Sequence, residues 1–276
     1  MHNRIAEHRV DNMPSIYSTF VDAYTRTFHD IADHRSDNWF LMGSPWPVSF
    51  IIIFYLYFVK ILGPRLMKNR PAFNVDTFLR LYNLLQIILC TCLLKYILDL
   101  DWGRKYRLFC QPLDYTSPHG LYVAKLMYSY FLMKVFDLCD TVFMVLRKRD
   151  KQVSFLHLYH HIMVLLNVWI AAKFVPGGHG SIVGFLNTVV HAVMYSYYFV
   201  TSMWPEYKKN LWWKKYITQL QMGQFVFLAF HSFSAFIIKD CEYPAIMLVL
   251  IGTQNLILLI LFANFYKKTY LKKKVM

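Results

Sequence analysis

Apolar residues in this chain run in long blocks broken by short basic clusters. Seven blocks, at about 46–62, 78–98, 122–146, 155–173, 180–200, 217–238 and 244–266, approach the about 20 residues of helix that a membrane span takes. The pattern predicts an all-α, polytopic membrane protein with seven transmembrane helices over residues 46–266. Ahead of the first block, Ile16, Phe20, Tyr24, Phe28 and Ile31 recur at spacings of three and four, with Asp22, Arg26, Asp30 and Asp33 filling the other face. The segment 1–45 is therefore expected to be a tail carrying an interfacial helix, with a protein-protein surface as the alternative.

Composition supports this division. The 276 residues are 57% apolar and only 17% charged, poor in surface-forming side chains for a soluble domain. No basic, then apolar, then small-residue run stands near residue 1, so no cleaved signal peptide is expected. The formal charge of +14 would suit nucleic acid, but the positive residues stand at the ends of the apolar blocks. There they set topology and meet anionic headgroups or ligands. The expected partner is the lipid bilayer; no nucleic acid is expected.

The basic clusters also orient the chain. Lys60, Arg65, Lys68 and Arg70, then Arg147, Lys148, Arg149 and Lys151, then Lys208, Lys209, Lys214 and Lys215 fall on one side with the lysines of the tail 267–276. Opposite them stand Arg104, Lys105, Arg107, Lys173 and Lys239, plus four arginines before the first block. The positive-inside rule then places the C-terminus in the cytosol and the N-terminus on the far side. Lys273 and Lys274 match a dilysine retrieval signal of the endoplasmic reticulum, or form a solvated basic tail. Cys110 and Cys241 fall in far-side loops, where an oxidising compartment favours a disulfide between them. Cys90, Cys92 and Cys139 lie within spans and read as small apolar residues.

Polar residues inside the spans carry the chemistry. An ionisable cluster within a membrane is by default a functional-site hypothesis. The third span has Lys134, Asp137 and Thr141 on one helical face with Asp140 beside them; the fourth has His157, His160 and His161. The fifth carries Asn187, His191, Tyr195 and Tyr198 as one stripe, and the sixth Thr218, Gln221 and Gln224. Measured from the basic cluster between the third and fourth spans, these groups share one depth, open toward the cytosol. His231 stands alone in the far-side half of its span and reads as a packing histidine.

Three classes of function compete for this layer. Membrane desaturases and hydroxylases bind two irons through several histidine boxes. Here one box is present, and His191 and His231 are the other histidines within spans, a thin ligand set. A single zinc on three histidines is chemically open. Acyl transfer needs an imidazole to attack a thioester, a second to manage protons, and amide or hydroxyl donors for an oxyanion; all are present. A seven-helix receptor would have no use for three histidines in the first turns of a span. The basic rim suits the phosphates of an acyl-coenzyme A.

Four segments in order carry a resemblance. Lys134-Val-Phe-Asp137-Leu-Cys-Asp140-Thr141 resembles the Lys-x-x-Glu-x-x-Asp-Thr motif of the very-long-chain fatty acid elongases, the 3-ketoacyl-CoA synthases of the endoplasmic reticulum. His157-Leu-Tyr-His160-His161 resembles their His-x-x-His-His box. The stretch from Asn187 through His191 to Tyr198 is similar to the next signature, and that from Thr218 through Gln221 and Gln224 to Phe225 to the last. Asp137 departs from the usual Glu by one methylene. The resemblance implies an endoplasmic reticulum acyltransferase, a very-long-chain 3-oxoacyl-CoA synthase, condensing a long-chain acyl-CoA with malonyl-CoA to 3-ketoacyl-CoA, CoA and carbon dioxide. It implies spans two to seven around an acyl tunnel with the first peripheral, and no metal or bound cofactor. The ketoacyl reductase, dehydratase and enoyl reductase of the cycle are the implied partners, with self-association left open. Read together with the residues, His160 is the expected nucleophile, His191 the facing proton handler, and His157 and His161 their neighbours, with Asp140 and Asp137 behind. Lys134, Thr141, Asn187, Tyr195, Tyr198, Gln221 and Gln224 are expected to bind substrate within the layer, and Lys208, Lys209, Lys214 and Lys215 at its rim.

Overall fold

The structure, a computed structural model, describes residues 16–204, 206–207 and 211–271. Lys208 and Lys209, the Lys273–Lys274 pair and positions 1–15 lie outside the described residues. Helices and turns account for the fold, with no β-strand among the described residues. In order these are α1 (Ile16–Thr25), α2 (Trp46–Tyr57), α3 (Gly63–Met67), α4 (Asp76–Leu98), α5 (Pro118–Asp137), α6 (Cys139–Leu146), α7 (Phe155–Phe174), α8 (Ser181–Met203), α9 (Leu211–Ser234) and α10 (Ala245–Tyr266).

Among the described residues, five stretches are long and apolar enough to cross a membrane: Trp46–Met67, Asp76–Leu98, Phe155–Phe174, Gly178–Met203 and Ala245–Leu271. Helices α5 and α9, of 20 and 24 residues, have comparable reach, about 30 and 36 Å at the rise of an α-helix. They are more polar: α5 carries Lys125, Lys134 and Asp137, α9 Lys214, Lys215, Gln219, Gln221 and Gln224. Large apolar side chains nonetheless face outward all round, including Phe50 (68% exposed), Phe78 (66%), Phe230 on α9 (65%) and Ile260 (67%). Hydrocarbon, not water, is the solvent that tolerates such a surface.

The third predicted span is two helices. After Asp137 the backbone tightens, Leu138 N donating to Val135 O and Thr141 N to Leu138 O. No proline or glycine marks the spot; the break coincides with the turn whose carboxylate points into the interior. Past α6, Lys148 at φ +52° reverses the chain. Ser154 then caps α7, its Oγ accepting from His157 N at 3.2 Å. This short return sets α7's first turns beside α6, so Thr141 and His157 meet although sixteen residues apart.

Glycine opens α8. Gly177 stands at φ +108°, and a Cβ there would lie 2.5 Å from Val123 Cγ1. The entry to α8 is thereby pressed against α5, which brings Asn187 beside Tyr130 two turns later. Helix α4 lies along α8, α5 along α7 and α9 along α10. The end opposite the Arg147–Arg149 cluster is fastened by a Cys110–Cys241 disulfide, with Cα atoms 5.5 Å apart.

The segment before α2 is more than a loose tail. Trp169 Nε1 donates to Leu41 O at 3.0 Å, and buried Lys173 reaches Asp37 at 2.5 Å. Phe28 packs against Trp169 and Phe174, while Ile16 is 91% exposed. Breaking a buried charge away from its partner is costly, so Lys173 binds this segment to the end of α7.

Candidate active site

At the break between α5 and α6 the charges of the third predicted span turn inward. Lys134 Nζ donates to Asp137 Oδ2 at 3.0 Å with both side chains 4% exposed, and lies 4.8 Å over the Tyr130 ring. Gln86 Nε2 on α4 donates to Asp137 Oδ1 at 2.7 Å. Tyr195 OH on α8 donates to Asp140 Oδ2 at 2.9 Å and lies 3.2 Å from Asp137 Oδ1. An ion pair this deep is sustained only when its remaining lone pairs are filled, and α4 and α8 fill them.

The imidazoles stand against this hub. His191 Nδ1 lies 3.5 Å from Lys134 Nζ and 3.6 Å from Asp137 Oδ2. The imidazole beside the carboxylates is therefore His191 of α8, and not one of the three on α7. The His160 ring faces it, near-parallel at 21° with centroids 6.5 Å apart. At that separation the two imidazoles are neighbours with no hydrogen bond between them. His161 packs on His157 at 4.4 Å and on His160 at 5.4 Å. His157 Nε2 bonds Thr141 Oγ1 at 2.8 Å, and Thr141 in turn bonds Tyr55 OH of α2 at 2.7 Å.

Two amides are held by tyrosines. Tyr130 OH donates to Asn187 Oδ1 at 2.8 Å, and Tyr159 OH to Gln254 Oε1 at 3.1 Å. Neither ring nitrogen of His160 or of His161 has a hydrogen-bond partner among the described residues. No group of three His, Cys, Asp or Glu side chains is arranged around a common metal position among them either. On the far side of Tyr130 an apolar cleft opens between α5, α7, α8 and α10, walled by Met127, Val168, Gly184, Met247 and Ile251.

Comparison with known proteins places the chain that carries this histidine pair and acid–lysine hub in a family. The model of the ELO (GNS1/SUR4) family matches residues 40–276. The chain belongs to this family. It is 41% identical over 255 residues to a very long chain fatty acid elongase 7 of Drosophila melanogaster, covering 92% of this chain and 78% of that one. It is 39% identical over 261 residues to the rat very long chain fatty acid elongase 7, covering 92% and 93%. Mouse very long chain fatty acid elongase 1 is 37% identical over 259 residues with the same coverage.

The residues expected from the sequence separate into two groups in this ELO-family fold. His157, His160, His161, His191, Lys134, Asp137, Asp140, Thr141, Asn187 and Tyr195 converge. Gln221 touches the edge, its Nε2 3.8 Å from Met194 Sδ. Tyr198 packs edge-on against Tyr195 at 6.2 Å and is 41% exposed. Gln224 is buried without a hydrogen bond to the histidines, and Lys214 and Lys215 stand at the start of α9 away from the hub. Asp140 is bonded to Tyr195 and to no histidine among the described residues.

Four contributors escaped the sequence reading: Gln86 and Tyr82 of α4, Tyr55 of α2 and Tyr130 of α5. Asn83 and Gln86 did leave a signal, two amides one turn apart in an apolar span. The tyrosines left none, because tyrosine recurs throughout the chain.

Proposed function

We propose that this chain is a condensing enzyme of fatty acid elongation, joining a long-chain acyl-CoA with malonyl-CoA. Membership of the ELO family and the names of its relatives support the reaction class; the near-parallel His160–His191 pair with unengaged His160 nitrogens supports the mechanism. A neutral His160 attacks the acyl-CoA thioester. A carbon–nitrogen bond forms, the carbon–sulfur bond breaks, and CoA leaves as the thiol with the proton the imidazole gives up. Malonyl-CoA then loses carbon dioxide, and the electron pair of the broken bond remains on C2 as an enolate. That carbon attacks the acyl-imidazole carbonyl; the new carbon–carbon bond forms, the carbon–nitrogen bond breaks, and the departing His160 nitrogen takes a proton from solvent to return as neutral imidazole.

His191 sits where it can hold a proton toward the enolate oxygen, with Asp137 and Lys134 fixing its ring. Asn187 and Gln221 are the proposed amide donors to carbonyl oxygens, with Tyr195 and Gln224 near them. The lysines at 208, 209, 214 and 215 form the proposed rim for CoA phosphates. In this reading α5 with α6, and α9, also span the bilayer, making seven. The basic end faces the cytosol, and the apolar cleft beyond Tyr130 belongs to a tunnel for the acyl tail. The membrane is that of the endoplasmic reticulum, separate reductases and a dehydratase complete the cycle, and no metal takes part.

The test is direct. The purified protein, given a panel of acyl-CoAs and malonyl-CoA labelled at C2, should release 3-ketoacyl-CoA two carbons longer and labelled at C2. Hydrolysis to free fatty acid without chain extension would contradict the reading.

A further inference from the structure

Hydrogen-bond donors around the two carboxylates can be counted. Asp137 Oδ2 receives Lys134 at 3.0 Å, and His191 stands 3.6 Å from it. Asp137 Oδ1 has two neighbours, Gln86 Nε2 at 2.7 Å and Tyr195 OH at 3.2 Å. Tyr195 owns one hydroxyl proton, and Asp140 Oδ2 is closer to it, at 2.9 Å. With that proton on Asp140, Gln86 is the one donor that remains for Asp137 Oδ1. The amide's orientation is fixed by its surroundings: an oxygen in place of Nε2 would face the carboxylate at 2.7 Å.

Gln86 is wholly buried, at 0% exposure, and its Oε1 has no hydrogen-bond partner among the described residues. An unmade hydrogen bond in the interior is costly. The side chain thus holds its place through its nitrogen, which donates to Asp137 and to Tyr82 OH at 2.9 Å and lies 3.3 Å from Tyr195 OH. Tyr82 adds a wall to this arrangement, its ring lying edge-on to Tyr195 at 6.0 Å.

We propose that Gln86 is a positioning residue for the condensation, holding the Asp137 carboxylate in the rotamer that sets the His191 ring opposite His160. This rests on the mechanism proposed above. Gln86 acts through Asp137 and has no hydrogen bond to the α7 histidines, so its loss should fall on the step His191 serves and spare the acylation of His160.

The proposal is tested on the full-length protein in detergent with two substitutions and one pair. In Gln86→Leu, kcat for condensation should fall about tenfold to a hundredfold, as small misplacements of reacting groups do. KM for malonyl-CoA and the burst of CoA released from acyl-CoA alone should stay at wild-type values. Gln86→Asn pulls the donor back by one methylene and Asp137→Glu pushes the acceptor forward by one. Each alone should slow condensation, and the double variant should recover most of the wild-type kcat. Thermal melting of each variant separates loss of fold from loss of position, and the double variant decides the matter if Gln86→Leu does not fold. Wild-type condensation in Gln86→Leu, or a double variant no faster than the slower single one, would overturn the proposal. Absence of a CoA burst in the wild-type protein would instead strike the His160 mechanism and leave the Gln86–Asp137 coupling to be judged by kcat alone.

Discussion

Two pairs of histidines face each other in this molecule, one at each end of the bundle, and they are built differently. At the disulfide end, His179 and His231 stack at 4.0 Å with their rings 11° apart, both about as buried as a residue can be. Nearly every nitrogen there is engaged by backbone: Cys110 N donates to His179 Nδ1 at 3.0 Å, His179 Nε2 meets His231 O at 3.0 Å, and His231 Nε2 meets Leu108 O at 2.8 Å. At the basic end, His160 and His191 face each other across 6.5 Å. His191 stands beside the charges of Lys134 and Asp137, and His160, packed near His161 and Phe262, has no hydrogen bond among the described residues. Burial and clustering are common to both pairs. What differs is the unengaged nitrogen and the gap, and those are what chemistry on a substrate requires.

Breaking the reactive pair should have the largest effect. Replacing His191 by Ala is expected to slow condensation by about a hundredfold or more, the scale of a general acid–base group. Release of CoA from acyl-CoA alone should persist, as read by a thiol assay. An equal loss in both steps would mean that the two imidazoles share one role. The same substitution's melting temperature should move little, because His191 ties no backbone.

The other end should answer in stability. Replacing Cys110 and Cys241 together by Ser is expected to cost about 2–5 kcal/mol, the usual range for loss of a native disulfide. His231→Leu leaves the Leu108 carbonyl without its partner, a loss of about 1–3 kcal/mol. Both would be measured by thermal melting in detergent, with the kcat of the folded protein unchanged. A catalytic defect in His231→Leu at wild-type stability would erase the distinction between the pairs.

The smallest effect concerns pH. Asp114, in the loop before α5, is held down to about 2 by the hydroxyl and N–H of Ser117, with the Thr116 N–H and His119 helping against a small burial penalty. Its unfolded value is about 3.9. A carboxylate depressed on folding adds stability that is complete above the unfolded value and lost as pH falls through the folded one. The melting temperature should therefore decline slightly from about pH 4 toward 2, and Asp114→Asn should flatten that decline. An unchanged slope would assign the acid loss to other carboxylates.

Much of this was legible in the sequence, for a physical reason. Helical spacing fixes which side chains share a face, so Lys134, Asp137 and Thr141, or Asn187, His191 and Tyr195, fall into groups on spacing alone. Distance from the basic clusters put these groups in one layer, and they do converge, while His231's isolation marked it as a packing histidine. Contacts between remote helices carry no such periodicity. Nothing along the chain says that Gln86 meets Asp137, that Tyr55 meets Thr141, or that Lys173 meets Asp37. The break at Leu138 was equally silent, since no proline or glycine marks it. Asp137 shows the same limit: its Oδ1 accepts from Gln86, on another helix.

The role of His160 is best tested by intact-mass measurement of the purified protein after incubation with one long-chain acyl-CoA. The mass is expected to rise by one acyl group, on a peptide containing His160, and to return to its starting value when malonyl-CoA is added. His160→Ala should show no adduct and no condensation while retaining its fold. An adduct that survives in His160→Ala, or turnover by the wild-type protein with no acylated state at any time, would contradict the covalent route through this imidazole.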